Sequence, residues 1–270
     1  MLVAKPAILT DTTKCIGCEE CVAACKKANN LGPDLPARDP SGDGLCATRW
    51  TSIVTRPGKR YVRKQCRHCA EPACASVCPV GALKKTPEGP VTYDGSKCIG
   101  CRYCMMACPY GIPRYDWTAA VPYVRKCIMC HPRLVKGGQP ACTEACPQKA
   151  TIFGDRDMLI AEARGRFDTF PDKYIKKIWG ETEVGGTSVL YISDIPINFL
   201  SWTKDLGEEP LPEKTWRVLK TVPPLFVGAG AVMGSVYWVI ERRMKLAGKD
   251  EARSSEFGVR SSEKKEEENR

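Results

Sequence analysis

Apolar and polar positions alternate over two short stretches early in the chain, Arg49 to Thr55 and Arg60 to Lys64, with Pro57-Gly58 between them. β-Rich stretches on either side of a Pro-Gly break predict a hairpin, read here as scaffold. A second hairpin is predicted where Pro79-Val80-Gly81-Ala82-Leu83 breaks at Thr86-Pro87-Glu88-Gly89 and resumes at Val91-Thr92-Tyr93-Asp94. The stretch Pro147-Gln148-Lys149-Ala150-Thr151-Ile152 echoes the segment that begins at Pro79, which predicts an internal repeat. Residues 155–166 carry a helical pattern, with Asp155 as N-cap and Met158, Leu159 and Ala163 on one face. After Gly185-Gly186, the run Thr187-Ser188-Val189-Leu190-Tyr191-Ile192 predicts a strand.

The longest apolar run is Thr221 to Ile240, twenty residues without a charge. At about 1.5 Å per residue it spans a hydrocarbon core of roughly 30 Å, which predicts a transmembrane helix rather than a buried soluble one. Pro223 and Pro224 fall in its first turn, where a missing donor costs least. Trp216, Tyr237 and Trp238 suit the membrane interfaces, and Gly230 and Gly234 allow close approach of another helix. Four basic residues precede the run (Lys204, Lys214, Arg217, Lys220) and six follow it (Arg242, Arg243, Lys245, Lys249, Arg253, Arg260). The excess places the C-terminal tail in the cytoplasm and the preceding domain outside. Residues 248–270 are charged and apolar-poor, and the expectation for them is disorder.

Composition changes the picture at one point. The 270 residues are 43% hydrophobic and 27% charged, as in ordinary folded proteins, but 17 are cysteine, too many for a core and too long a chain for a small disulfide-built scaffold. Sixteen of them form four quartets: Cys15, Cys18, Cys21, Cys25; Cys66, Cys69, Cys74, Cys78; Cys98, Cys101, Cys104, Cys108; and Cys127, Cys130, Cys142, Cys146. The first and third have the spacing C-x2-C-x2-C-x3-C, and the last three each end in Cys-Pro. Cys46 is left over, read as a tolerated buried thiol.

Three thiolates two residues apart form a loop that wraps part of an iron-sulfur cubane and supplies three of its ligands, with backbone amides free to donate to the sulfurs. In two-cluster ferredoxins the fourth cysteine serves the neighbouring cluster, and the following proline enforces the turn. A disulfide framework would not repeat such short spacings. Structural zinc would use two pairs per site and leave the third close cysteine without a role.

The formal charge of +10 then has an explanation. If each loaded site contributes about −2, four bring the total to about +2. The basic residues beside ligands, Lys14, Arg67, Lys97, Arg102, Arg125 and Lys126, therefore read as cluster compensation, and no nucleic-acid partner is expected. Only two histidines exist, His68 and His131, each next to a cluster cysteine and read as packing residues. With no nucleotide-binding glycine motif and so few acid-base candidates, no catalytic residue is expected.

The quartets resemble those of the four-cluster electron-transfer subunits of molybdopterin oxidoreductase and nickel-iron hydrogenase complexes. Beyond them, Trp179-Gly180-Glu181, Gly185-Gly186-Thr187, Ile195-Pro196 and the C-terminal membrane helix are similar to the membrane-linked iron-sulfur subunit of hydrogenase-2 and to the β subunit of formate dehydrogenase-N. The resemblance implies an α+β fold: two ferredoxin-like dicluster modules with short β-hairpins, followed by one transmembrane helix. It also implies four [4Fe-4S] clusters, with the first quartet pairing with the fourth and the second with the third. One cluster would take Cys15, Cys18, Cys21 and Cys146, and its neighbour Cys127, Cys130, Cys142 and Cys25. The other two would take Cys66, Cys69, Cys74 and Cys108, and Cys98, Cys101, Cys104 and Cys78. Cys25 departs from the pattern, being followed by Lys26 instead of proline.

These readings divide the chain into a four-cluster domain (1–154), a docking segment (155–220), a transmembrane helix (221–240) and a tail (241–270). The expected function is electron relay in a membrane-bound respiratory oxidoreductase. The expected partners are a nickel-iron or molybdenum/tungsten catalytic subunit and an integral membrane subunit that binds quinone or haem. Met1 to Pro6 carry neither an apolar stretch nor a twin-arginine pair, so a periplasmic cluster domain is expected to be carried out bound to a partner with its own signal. The competing reading is a membrane-tethered iron-sulfur sensor or assembly factor.

Overall fold

The computed structural model describes residues 5–35, 42–118, 123–201 and 205–267, with side chains described up to residue 247. Met1–Ala4, Lys204 and residues 268–270, which entered the sequence reading, lie outside them. The chain starts with β1 (Pro6–Asp11), leads through a one-turn 3-10 segment to α1 (Glu20–Ala28), and forms the hairpin β2 (Thr51–Arg56) and β3 (Arg60–Gln65). Next come α2 (Ala73–Ser76), the hairpin β4 (Leu83–Lys85) and β5 (Val91–Tyr93), and α3 (Tyr103–Ala107). The short pair β6 (Arg114–Tyr115) and β7 (Val124–Arg125) precedes α4 (His131–Leu134) and α5 (Ala141–Glu144). Then follow β8 (Thr151–Asp155), α6 (Arg156–Thr169), β9 (Val189–Ile192), α7 (Leu211–Leu219) and α8 (Val222–Glu267).

All six residues of β1 are buried, because it is the middle strand of the only three-stranded sheet among the described residues, ordered β8-β1-β9. β8 lies antiparallel to it, with Ile8 opposite Phe153, and β9 lies parallel, with Ile8 opposite Val189. Alternation sends Ala7 and Leu9 to one face, where they meet Leu159, Ile160 and Ala163 of α6 together with Leu190 and Ile192. Ile8 goes to the other face with Val62, Met129, Val189 and Tyr191, in the core that underlies the cysteine loops. A strand covered on both faces reads as a continuous apolar run, as Ala7-Ile8-Leu9 does.

Both expected hairpins form, with Val54 opposite Val62 in one and Lys84 opposite Thr92 in the other. The helix expected at 155–166 runs from Arg156 to Thr169, and its N-cap Asp155 accepts from the Asp157 N–H. Its buried face is Leu159, Ile160 and Ala163, whereas Met158, placed on that face by the sequence reading, is 72% exposed. The expected boundary at 154 is not where the contacts divide the chain. Residues 155–214 supply α6 and β9 to the first sheet and core, and the two compact units are Met1–Lys214 and Thr215–Arg270.

In the second unit, α8 begins at Val222 with its prolines in the first turn and presents Leu225, Phe226, Val227 and Met233 outward. Together with α7 it forms a segment, Leu211–Ala247, long and apolar enough to cross a membrane. The backbone stays helical to Glu267, where the sequence reading expected disorder. The residues after Gly248 are rich in Lys, Glu, Arg and Ala, which are good helix formers once an apolar helix has provided the nucleus.

Candidate metal centres

The first and third cysteine loops are built the same way. Asp11 accepts from the Thr13 N–H and Asp94 from the Ser96 N–H, each opening a single 3-10 turn that delivers Cys15 or Cys98. Each loop continues Ile-Gly-Cys, with Gly17 at φ +75° and Gly100 at φ +71°. The next residue, Glu19 or Arg102, is also left-handed and serves as the N-cap of a short helix, α1 or α3, that carries the third cysteine inward. Gly17 has a second constraint, since a Cβ there would stand 2.7 Å from the ring of Tyr61, which closes over the loop.

The second and fourth loops share a different frame. Left-handed residues follow the first cysteine, His68 in one and Met129 with Cys130 in the other, and Pro72 or Pro140 then caps the helix bearing the third cysteine. After each Cys-Pro pair the chain turns back. Gly81, Gly111 and Lys149 donate to the carbonyls of Cys78, Cys108 and Cys146 at 3.2, 3.1 and 3.2 Å. The turn aims further amides at sulfur: Ala82 N–H lies 3.2 Å from Cys78 Sγ and Ile112 N–H 3.5 Å from Cys108 Sγ. Met129 N–H similarly lies 3.3 Å from Cys127 Sγ.

All seventeen thiols are free. Burial and neighbouring thiols raise the pKa values of many of them. Burial raises the pKa of Cys15, and the charges of Cys146 and Cys18 add to it. Burial pushes Cys21 to about 11, with Cys142, Cys15 and Cys146 contributing. Cys25 is pushed to about 12 by burial, then by Cys142 and Cys130, and Cys127 is raised by burial, then by Cys25, Cys66 and Cys142. Burial raises Cys69 well above the usual thiol range, helped by Cys108, Cys66 and Cys74. Cys74 goes to about 12 by burial, with Cys66, Cys108 and Cys104 adding to it, and Cys104 to about 12 by burial, then Cys101, Cys98 and Cys78.

That donor set fits iron-sulfur clusters. Thiols packed against one another out of water resist ionisation, and only bound cationic metal makes thiolates affordable there. Among the described residues no three Cys, His, Asp or Glu side chains converge tightly enough for a single ion. A cubane takes one thiolate at each iron corner and needs them further apart than the ligands of one zinc, about 2.3 Å from the metal. Cys46 stands outside these groups, buried in a bridge to Arg49 with Sγ 3.4 Å from Thr48 Oγ1.

Of the six basic residues singled out in the sequence, two, Lys126 and Arg67, are buried. Lys126 donates to Cys127 O at 2.9 Å and stands 4.0 Å from Cys66 Sγ. The Arg67 guanidinium stacks 3.8 Å from the Tyr191 ring centroid. Arg102 covers Tyr115 and Trp117, Lys97 pairs with Asp94 at 3.6 Å, Arg125 lies 5.8 Å from the Tyr123 ring, and Lys14 is exposed. His68 is buried and accepts from Val91 N–H at Nδ1, and burial followed by the charges of Lys126 and Lys85 presses its pKa well below the usual value. His131 pairs with Glu88 at 3.1 Å. Sequence reasoning missed Lys85, which donates to His68 O and Cys69 O, and Arg63, whose Nη2 lies 3.2 Å from Cys142 Sγ. Arg63 sits in the hairpin read as scaffold. Its signal was the two-residue period that puts Tyr61, Arg63 and Gln65 on the face turned to the loops.

A family model described as a 4Fe-4S dicluster domain matches residues 59–156. A protein of Nitratidesulfovibrio vulgaris is 39% identical over 94% of this chain and 72% of its own length. The hydrogenase-2 operon protein HybA of Escherichia coli O157:H7 is 38% identical over 73% of this chain and 72% of its own. The probable anaerobic dimethyl sulfoxide reductase subunit YnfG of Escherichia coli K12 is 41% identical over 55% of this chain and 73% of its own. With its cysteine loops and these relatives together, the chain belongs to the family of iron-sulfur electron-transfer subunits of respiratory oxidoreductases, non-catalytic proteins that carry [4Fe-4S] clusters, four of them in this chain.

Proposed function

We propose that the clusters form one line, in the order Cys15/Cys18/Cys21/Cys146, then Cys25/Cys127/Cys130/Cys142, then Cys66/Cys69/Cys74/Cys108, then Cys78/Cys98/Cys101/Cys104. The observation that carries this reading is the packing of thiols from successive groups into the same buried clusters: Cys21 with Cys142, Cys127 with Cys66, and Cys74 with Cys104. Cys18 and Cys101 are exposed, whereas all four cysteines of the second group are buried. A line with accessible ends and an insulated middle suits entry of electrons at one end and exit at the other. Each cluster supplies one-electron redox chemistry when bound. The chain's own residues hold the thiolates apart, exclude water and aim amides at sulfur.

The catalytic partner is a nickel-iron or molybdenum/tungsten subunit, of hydrogenase or formate dehydrogenase type, and the other partner is an integral membrane subunit that binds quinone or haem. The apolar segment tethers the relay to the membrane. The cluster domain faces the periplasm, an orientation supported by the basic residues that follow the apolar run. The test is a mild-detergent pull-down of the tagged chain with metals measured in the same sample. We expect recovery of a large subunit containing nickel, molybdenum or tungsten. A chain that purifies alone with its iron intact would overturn the partner assignment.

A further inference from the structure

We propose that Arg63 is a positioning residue of the relay whose buried guanidinium raises the reduction potentials of the two clusters held by Cys21 and Cys142, leaving the other two unchanged. The inference rests on the ligand sets and cluster order proposed above. Arg63 is 2% exposed, on a strand whose backbone is tied down by the Tyr191 hydroxyl donating to Arg63 O at 2.8 Å. Four of its five N–H groups are committed: Nε donates to Thr51 Oγ1 at 3.2 Å, Nη1 to Thr151 Oγ1 at 2.8 Å, and Nη2 to Gln65 Oε1 and to Cys142 Sγ. No Asp or Glu pairs with it among the described residues. A buried cation without a carboxylate is costly, so the compensating negative charge has to come from the sulfur sites. Cys142 and Cys21 act on it first among its charged neighbours, one from each of the two groups. The guanidinium also borders the wall of the cavity lined by Cys15, Cys18, Cys21 and Cys146.

The direction follows from charge. A cluster that gains one electron becomes more negative by one, and a fixed cation nearby favours that state. An N–H donor to the ligand sulfur acts in the same sense. Arg63 itself takes up neither electron nor proton, because its guanidinium stays charged at any working pH. Its effect is confined to two clusters by distance and by the neutral threonine and glutamine anchors, which fix the fork without cancelling it.

The test is an EPR-monitored redox titration of the purified, cluster-loaded complex, with iron counted in the same samples. Signals are assigned with Cys21→Ser and Cys142→Ser, each of which alters the signal of its own cluster. In Arg63→Met, the reduced-to-oxidised ratio of the two assigned clusters at a fixed potential should fall at least tenfold, a downward shift of about 59 mV or more for one electron. Arg63→Lys, which keeps the charge, should recover at least half of the shift. Gln65→Glu places an opposing carboxylate against the guanidinium without removing it, and replaces an amide nitrogen that has no partner; it should lower the same two potentials. That variant decides the matter if Arg63→Met fails to retain iron. Unmoved potentials in iron-replete variants, or an equal shift of all four clusters, would overturn the assignment. Fewer than four clusters in the unaltered protein would instead defeat the relay reading on which it rests.

Discussion

Replacing Cys127 with alanine should abolish electron delivery to quinone by the complex while dye-linked turnover of the catalytic subunit continues. Cys127 is buried and packs with Cys66 of the next group, and burial followed by the charges of Cys25, Cys66 and Cys142 raises its pKa. In the proposed line its loss removes a ligand of the second cluster, between the first and the third. Iron should fall from about 16 to about 12 per chain, one cubane. The two activities should be assayed on one preparation, with quinone analogue and with dye. Loss of both would mean that the cysteine supports folding of the catalytic partner rather than the wire. Retention of quinone reduction would remove the second cluster from the path.

The second large effect concerns a residue that touches no sulfur. Asp43 Oδ2 accepts from Lys64 Nζ and from Arg114 Nη2, each at 2.6 Å, and all three side chains are nearly inaccessible. This carboxylate ties the loop before β2 to the strand leading into Cys66 and to the chain leaving Cys108. Asp43→Ala removes the carboxylate that the two buried cations share, a loss of about 3–5 kcal/mol. A urea titration of the detergent-purified protein, followed by tryptophan fluorescence and cluster absorbance, measures it. The triple variant Asp43→Ala, Lys64→Met, Arg114→Met should recover most of the stability, since apolar groups of similar size replace both cations together with the carboxylate they share. A single-variant cost below about 1 kcal/mol would show that the triad is hydrated rather than buried. Burial alone would raise the pKa of Asp43, but the Lys64 hydrogen bond and the Arg114 charge hold it below the usual carboxylate range. Its contribution is therefore present above that range and is lost as pH falls through the depressed value.

The parts of this molecule that were legible in the sequence are those whose causes are local. Pro57-Gly58 and Thr86-Pro87-Glu88-Gly89 each dictate a turn between alternating stretches, and both hairpins form. Asp155 caps its helix through its own side chain, a cause lying within two residues of the effect. The first and third quartets announce their chemistry because C-x2-C-x2-C is a ligand loop in itself.

What was not legible depends on contacts between distant segments. Nothing local in Val189–Ile192 says that it will lie parallel to β1, and that pairing makes residues beyond 154 part of the cluster-bearing unit. Met158 and Ile160 differ by little more than half a helical turn, so a pattern of apolar positions cannot choose between them until the sheet fixes which face it covers. Arg63 was hidden for an opposite reason. A charged residue on an alternating strand reads as solvent-facing, and only distant segments brought over it, Cys142 and Thr151 among them, make that face interior. The helical continuation to Glu267 shows a third limit, because the same Lys/Glu-rich composition marks both disorder and good helix formers.

Four clusters relaying electrons within one chain leave a countable signature. Iron, acid-labile sulfide and zinc should be measured on the anaerobically purified complex, together with the number of one-electron EPR signals that develop on stepwise reduction. About 16 irons, about 16 sulfides and four one-electron steps per chain, with no stoichiometric zinc, is the predicted result. Two clusters or fewer, or zinc in place of iron, would contradict it.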